Sequence, residues 1–351
     1  MPTVPAADLL TFTRALFQNA GLPADEASTV AAALVDGNLC GHDSHGVIRI
    51  IQYVTALEEG GMRAGVPLLV IKESPAVLVA DGQWGLGQVQ ARRLLERLVP
   101  KARIAGIAAG TLRHAGHIGR LGEYAEIVTW QGCAFLCTVN GHGFGRGVAP
   151  PGGIDSRIGT NPLCLGAPTA GDPLILDIGT SVVAEGKVRV AFNKGVAAPE
   201  GWLLDEQGRP TTDPGVLYRE PRGSILPLGG SQSGYKGFGL GLLLDVFAGA
   251  LSGGQCSHPD IPSRSANAVF FLVLDVEQFA GAEHFLREVR SLCDAVRTCP
   301  RVPGVSEITL PGDPERRERA RREASGIPLD DGTWAQLLAL AQRLGVTPPT
   351  V

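Results

Sequence analysis

The chain has 351 residues, 44% apolar and 19% charged, a balance that supplies a large core and excludes long disorder. Its formal net charge is −4 and its pI near 6.0, which excludes the broad basic surface that a nucleic-acid partner requires. Glycine is the unusual component: its 47 residues make up about 13% of the chain against a usual ~7%, so many turns and close backbone approaches are expected.

In chain order, the first sixty residues read as helices. Leu9, Leu10, Phe12, Leu16 and Phe17 share one stripe that Gly21 interrupts. Pro23, Asp25 and Glu26 open a second helix with Val30, Leu34, Val35 and Leu39 on its apolar side. A third apolar pattern over residues 47–57 stops at Gly60-Gly61. From Pro67 the texture changes to short β-branched runs at 68–71, 76–80, 107–110, 134–139, 174–178 and 268–274. Helical patterns intervene at 89–102, 121–130 and 239–251, without regular βαβ alternation. Asp313-Pro314 begins a charged helix that Gly326 ends, and residues 331–344 form a last one before Gly345. The basic run from Arg316 to Arg322, interrupted by Glu318, reads as a solvated helix face. The expectation is a mixed α/β chain: a helical domain built from 1–66 and 310–351, around a central mixed-sheet domain over 67–309.

Seven cysteines without a Cys-x-x-Cys pair point to free thiols in a reducing compartment. The N-terminus shows no leader pattern, and the most apolar stretch, 238–251, is too short to span a membrane and carries Asp245. A cytoplasmic location with no membrane partner is the default expectation.

Two stretches concentrate reactive side chains, Gly41-His42-Asp43-Ser44-His45-Gly46-Val47-Ile48-Arg49 and Arg113-His114-Ala115-Gly116-His117-Ile118-Gly119-Arg120. Reduction of a keto acid needs a cation for the carboxylate, an acid for the carbonyl oxygen and backbone N–H groups for a pyrophosphate. Arg49, four residues after His45, supplies the first, and His117 the second. The glycines around His117 supply the third. The ordinary readings are structural or capping roles for His42 and His114, a helix cap for Ser44 and a surface position for Arg49. Three further possibilities are a metal site on the His42-x-x-His45 and His114-x-x-His117 pairs, a hydrolase using Ser44, and a non-enzymatic binding module. The first would make the chain a metal-dependent hydrolase; no bound metal is expected on the favoured reading. Gly141-x-Gly143-x-Gly145-x-Gly147 and Gly237-x-Gly239-x-Gly241 approach a dinucleotide fingerprint but have the wrong spacing.

Six motifs in one order carry a resemblance: Gly41 to Arg49 as written above, His117-x-Gly119-x-x-Gly122-x-Tyr124, Gly159-Thr160-Asn161-Pro162, Leu176-Asp177-x-x-Thr180-Ser181, Gly234-Tyr235-Lys236-Gly237 and Leu310-Pro311-Gly312. Together they resemble the malate/L-lactate dehydrogenase family of NAD(P)-dependent oxidoreductases, which is unrelated to the Rossmann-fold lactate and malate dehydrogenases. Gly186-Lys187-x-Arg189-Val190-Ala191, Lys194-Gly195-Val196, Pro210-Thr211-Thr212 and residues 249–254 are most similar to its hydroxycarboxylate dehydrogenase B type. The resemblance implies a non-Rossmann mixed sheet, a homodimer and reversible reduction of small 2-keto acids with NAD or NADP. It assigns proton transfer or nicotinamide contact to His117 and His45, with Ser44 beside them, and substrate binding to Arg49 and Asn161. It places cofactor contacts at His45, Gly119, Arg120, Leu121, Ile175, Leu176, Asp177, Ile178, Gly179, Tyr235, Lys236, Asn267, Gly312, Asp313, Pro314 and Glu315. Asp177 or a nearby arginine is expected to read the ribose 2′ position. His114-Ala115 stands where many relatives have an asparagine-serine pair, which leaves cyclic imino acids open as acceptors. The two histidine segments are expected to fold against each other with a nicotinamide ring between them.

Overall fold

The computed structural model describes residues 1–143, 147–261 and 266–350. Gly145, part of the glycine run above, lies outside them. The chain runs β1 (Thr3–Val4), α1 (Ala6–Asn19), α2 (Ala24–Leu39), a 3-10 turn (Asp43–His45) and α3 (Arg49–Glu58). Then come β2 (Leu69–Glu73), β3 (Val77–Gly85), α4 (Gly87–Ala105), β4 (Ile107–Ala115), α5 (Gly122–Thr129) and β5 (Cys133–Asn140). These are followed by β6 (Leu163–Ala167), β7 (Leu174–Ile178), α6 (Glu185–Lys194), β8 (Leu203–Leu204), β9 (Pro210–Thr211) and β10 (Ser224–Ile225). The remainder is α7 (Gly230–Asp245) with a π-type turn (Val246–Ala250), β11 (Asn267–Asp275), α8 (Ala282–Arg297), α9 (Asp313–Ser325), β12 (Ile327–Pro328) and α10 (Asp331–Leu344).

The central sheet has seven strands in the order β2-β3-β4-β11-β5-β6-β7. Only β3 and β4, joined through α4, pair in parallel; the other neighbours are antiparallel. Consecutive residues of a strand face opposite sides, and β11 shows what covers each side. Phe271 meets Tyr124 of α5 at 5.5 Å between ring centroids, whereas Phe270 meets Phe247 of the π-type turn at 5.5 Å. The sheet is therefore sandwiched. Leu94, Leu95 and Leu98 of α4 and Val128 of α5 complete the core on the first side, against Leu78, Leu112 and Val273.

The stripes of α1, α2 and α3 pack with Ile327, Trp334, Leu337 and Leu340 from the chain's other end into a second core. Met62, Leu86 and Val89 also belong to it, so the first turn of α4 links the two cores. A third, smaller core, which the periodicity does not announce, joins Val148 and Ile158 to Val188, Leu203, Val216 and Ile225.

Strand β6 and helices α6 and α8 are absent from the sequence reading. Strand β4 extends to Ala115 and β3 to Gly85, beyond the short runs read at 107–110 and 76–80. The reading of 316–322 as a solvated face is corrected on one side of the helix. Arg322 is buried, donating to the Asn38 carbonyl at 2.7 Å and to Asp43 at 2.6 Å, and Arg319 reaches Asp36. These guanidinium groups find carboxylates on α2 and the turn after it, which a helical wheel does not reveal. Among the described residues no helix is long and apolar enough to cross a membrane.

Candidate active site

The turn after α2 is built around Asn38. Its Nδ2 donates to Asp43 Oδ1 at 2.7 Å, its Oδ1 accepts from Val47 N at 2.8 Å, and Arg322 clamps Asp43 from α9. The second segment follows β4, where Asn267 Oδ1 accepts from Ile118 N at 2.9 Å and Asn267 Nδ2 donates to Asn140 O at 3.0 Å. Gly87 lets the start of α4 lie against this second segment, because a Cβ there would overlap the carbonyls of Gly116 and His117.

These supports bring His45 and His117 together. Their rings stack with centroids 5.1 Å apart and planes 15° from parallel. At this spacing no third ring stacks between the two imidazoles themselves. Stacked rings keep their centroids at least about 4.5 Å apart, so a third ring between them would need roughly 9 Å.

Two residues missed in the sequence complete the arrangement. Tyr53 Oη lies 2.7 Å from His117 Nδ1 and accepts from Gln88 Nε2 at 2.9 Å. With Gln88 donating, the phenolic proton can point to an unprotonated Nδ1, or to the His117 carbonyl 3.5 Å away when Nδ1 carries a proton. Both protonation states of Nδ1 are accommodated, and His117 Nε2 stays outside this contact. Arg49 donates to Ser44 O at 2.7 Å and to Gln52 Oε1 at 2.8 Å, but has no carboxylate partner among the described residues. Burial, the Arg49 cation, His42 and Arg120 push the pKa of His45 down to about 3. Burial, Arg49 and His45 likewise hold His117 far below the usual imidazole range. The site thus holds two neutral imidazoles beside an unneutralised guanidinium.

The four clustered histidines take different partners. His42 faces Glu315 at 3.5 Å, and His114 Nδ1 donates to the Asp81 carboxylate at 2.9 Å while the ring stacks on Trp84 and His142. Neither the 3-10 turn nor α3 has a side-chain cap, so Ser44 caps no helix here. Its Cβ sits 3.0 Å from where a Cβ on Gly186 would lie, at the start of α6. Asn161, on a left-handed backbone, spends its amide on Gly241 O and Asp245 Oδ2, both at 2.9 Å.

Arg120, Ile175, Asp177, Gly312 and Glu315 line one cavity of about 360 Å³, together with Asp36, Cys40, Arg316 and Arg319. Burial opposes the charge on Asp36, but Arg120 and Arg319 outweigh it and hold its pKa low. Burial, opposed by His42 and the Gly122 N–H, raises that of Asp177. Gly312 opens α9 with φ 94°, a conformation that favours glycine. His45 Nδ1 is buried without a hydrogen-bond partner. A ring nitrogen orphaned within the histidine pair, and a glycine-opened cavity whose Arg120 also acts on His45, fit an elongated group with a polar ring at one end. Leu121 and Asn267 are spent in the scaffold, and Asp313 pairs with Arg316 at 2.6 Å. Leu176 and Ile178 lie in β7 with Gly179 just after it, Gly119 precedes Arg120, and Pro314 lies in the first turn of α9. Tyr235 and Lys236 lie exposed on α7, outside that cavity.

A mixed sheet with a single parallel pair thus carries a buried pair of stacked histidines with an arginine beside them that has no carboxylate partner among the described residues. Residues 4–338 match the family described as malate/L-lactate dehydrogenase, and the chain belongs to that family. It is 36% identical to hydroxycarboxylate dehydrogenase B of Escherichia coli O157:H7, covering 99% of this chain and 95% of that one. The malate dehydrogenase of Pyrococcus horikoshii OT3 superposes with a TM-score of 0.89 at 31% identity, over 99% of this chain and 97% of that one. A delta1-piperideine-2-carboxylate reductase from Pseudomonas syringae pvar. tomato gives 0.83 at 29% identity, over 97% and 100%. The reaction is accordingly the reversible interconversion of 2-keto and 2-hydroxy acids, dependent on a pyridine nucleotide.

Proposed function

We propose that His117 exchanges the proton with the substrate oxygen and that Arg49 holds the substrate carboxylate. The observation that carries this reading is the buried His45–His117 stack with Tyr53 on His117 Nδ1 and the unneutralised Arg49 beside both rings. The pyridine nucleotide, when bound, supplies the hydride for reduction and takes it back in oxidation. His45, Gly119 to Leu121, Ile175 to Gly179, Tyr235, Lys236, Asn267 and Gly312 to Glu315 are proposed to hold it directly or through their backbone. In the oxidising direction a neutral His117 is ready to accept the hydroxyl proton. In the reducing direction burial still disfavours the charged ring, but the keto acid's carboxylate against Arg49 offsets that guanidinium's repulsion, so substrate binding raises the proton affinity of His117. Ser44, in the same turn as His45, is proposed to assist it, and Asn161, whose amide is held by Gly241 O and Asp245, to contact the substrate.

The test is an absorbance assay of purified protein with NADH or NADPH against a panel of 2-keto acids and cyclic imines, with and without chelator. Consumption unaffected by chelator is expected with at least one keto acid. No consumption with any acceptor overturns the assignment. Arg49→Ala is expected to raise KM for the keto acid by about tenfold or more, the loss of a charge-assisted carboxylate contact of ~1.5–3 kcal/mol. An unchanged KM across the panel removes the arginine clamp.

The functional unit is proposed to be a homodimer, with the helical unit of 1–66 and 310–351 carrying the first histidine and the 67–309 unit the second. Tyr235, Leu242, Leu243, Val246 and Phe247 form a stripe on α7 and its π-type turn, each 41–63% exposed. An apolar helix face of this kind on a water-soluble surface calls for a cover, and a second copy presents the same stripe. Light scattering is expected to give twice the chain mass of 36.7 kDa. A monomer at micromolar concentration rules the dimer out.

A further inference from the structure

The cavity that gathers Arg120, Asp177 and Glu315 has two features that proton exchange with a carboxylate substrate does not require. The first is Trp130, which follows the last turn of α5, lines the cavity and is 64% exposed. An indole ring left this open at the mouth of a cavity is a ready stacking platform. The second is the charge balance of the wall, where five carboxylates (Asp36, Glu126, Asp172, Asp177, Glu315) stand against three guanidinium groups.

All three arginines are already committed. Arg120 bonds Asp36 at 2.7 Å and Glu126 at 2.8 Å. Arg319 bonds Asp36, with Glu126 at 3.6 Å. Arg316 bonds Asp313 at 2.6 Å and the Pro173 carbonyl at 2.9 Å, with Asp172 at 3.6 Å. A 2′-phosphate carries about two negative charges and would have to strip one of these pairs while facing the remaining carboxylates. A ribose 2′-hydroxyl, by contrast, is a donor that a carboxylate wall accepts from directly.

We infer that this cavity takes the adenosine end of the nucleotide, with Trp130 as the adenine platform, and that its carboxylate wall selects NAD(H) over NADP(H). The inference rests on the reading above, in which the reacting end of the nucleotide lies at His45 and His117. It adds which of the two nucleotides the chain takes and which residue of the chain senses it.

The experiment titrates the full-length, nucleotide-free protein with NADH, NADPH, 5′-AMP and adenosine 2′,5′-bisphosphate, followed by calorimetry and tryptophan fluorescence. NADH is expected to bind at least about tenfold more tightly than NADPH. AMP should compete with NADH and quench tryptophan emission, and the bisphosphate should bind more weakly than AMP. Trp130→Ala, at an exposed position, should abolish the AMP-induced quench and weaken AMP and NADH by about tenfold. Equal or tighter binding of NADPH and the bisphosphate overturns the selectivity, and its specific loss in Arg316→Ala would identify that arginine as a phosphate clamp. If NADH binds but AMP does not compete and Trp130→Ala changes nothing, the adenosine placement is wrong while the reaction assignment stands. If neither dinucleotide binds, the functional reading itself fails, and this inference with it.

Discussion

Turnover of a His117→Ala variant is expected to fall roughly 10²–10⁴-fold, the range for loss of a positioned general acid or base. The argument rests on where the proton can go. His117 is the histidine of the pair with a hydrogen-bonded second nitrogen, since Tyr53 and Gln88 fix its Nδ1, whereas His45 Nδ1 is orphaned. A ring fixed at one nitrogen presents the other in a defined direction. The substitution removes an imidazole buried as a neutral group, so its cost in folding is that of a cavity and of the lost Tyr53 hydrogen bond, and not of a lost ion pair. Tyr53→Phe keeps the ring in place and deletes only the hydroxyl. It should lower kcat by about tenfold and move the pH profile of kcat/KM, as expected when a group acts through His117. The stopped-flow and steady-state rates of both variants decide the matter. Survival of full turnover in His117→Ala would transfer the proton role to His45.

Asp245→Ala is expected to produce the largest loss of stability, on the order of 3–5 kcal/mol. Asp245 ends α7, is 2% exposed, and accepts from four donors. These are Asn140 Nδ2 at 2.9 Å, Asn161 Nδ2 at 2.9 Å, Ser257 N at 3.0 Å and Ser257 Oγ at 2.6 Å. Alanine leaves those donors facing a void too small and too buried to solvate them well. At about 2–4 °C per kcal/mol for a chain of this size class, the melting temperature should drop by roughly 10 °C in a thermal scan. The same network ends near the catalytic loop, because Asn140 O is held by Asn267, which also holds Ile118 N. Activity at a temperature where the variant is folded should therefore fall too. A melting temperature within 2–3 °C of the parent, against that ~10 °C expectation, would show that water or neighbouring groups replace the carboxylate.

Much of this site was legible because its chemistry lies in short segments. His45, Arg49 and His117 stand out by residue type and spacing, and the turn and loop that carry them are bounded by glycines. Asp245 was not legible: in an apolar stretch it reads only as a reason against a membrane span, and its four donors come from three other segments. Tyr53 and Gln88 were missed for the same reason. They read as members of helices α3 and α4, 64 residues before His117 in one case and 35 residues apart from each other. Helix α8 is a different omission, since Phe285, Val289, Cys293 and Val296 do carry a helical period.

The sequence by itself determined the helices at both chain ends, down to the glycines that close α9 and α10 at Gly326 and Gly345. It also determined the family motifs, because both kinds of signal act within a turn or two of chain. Only the tertiary structure decided that His45 stacks on His117, that Arg322 turns inward to the Asn38 turn, and that a third core forms around Val188 and Ile225. Those choices depend on which distant surfaces exclude water together and which charges find partners there, and nothing within one local segment encodes either.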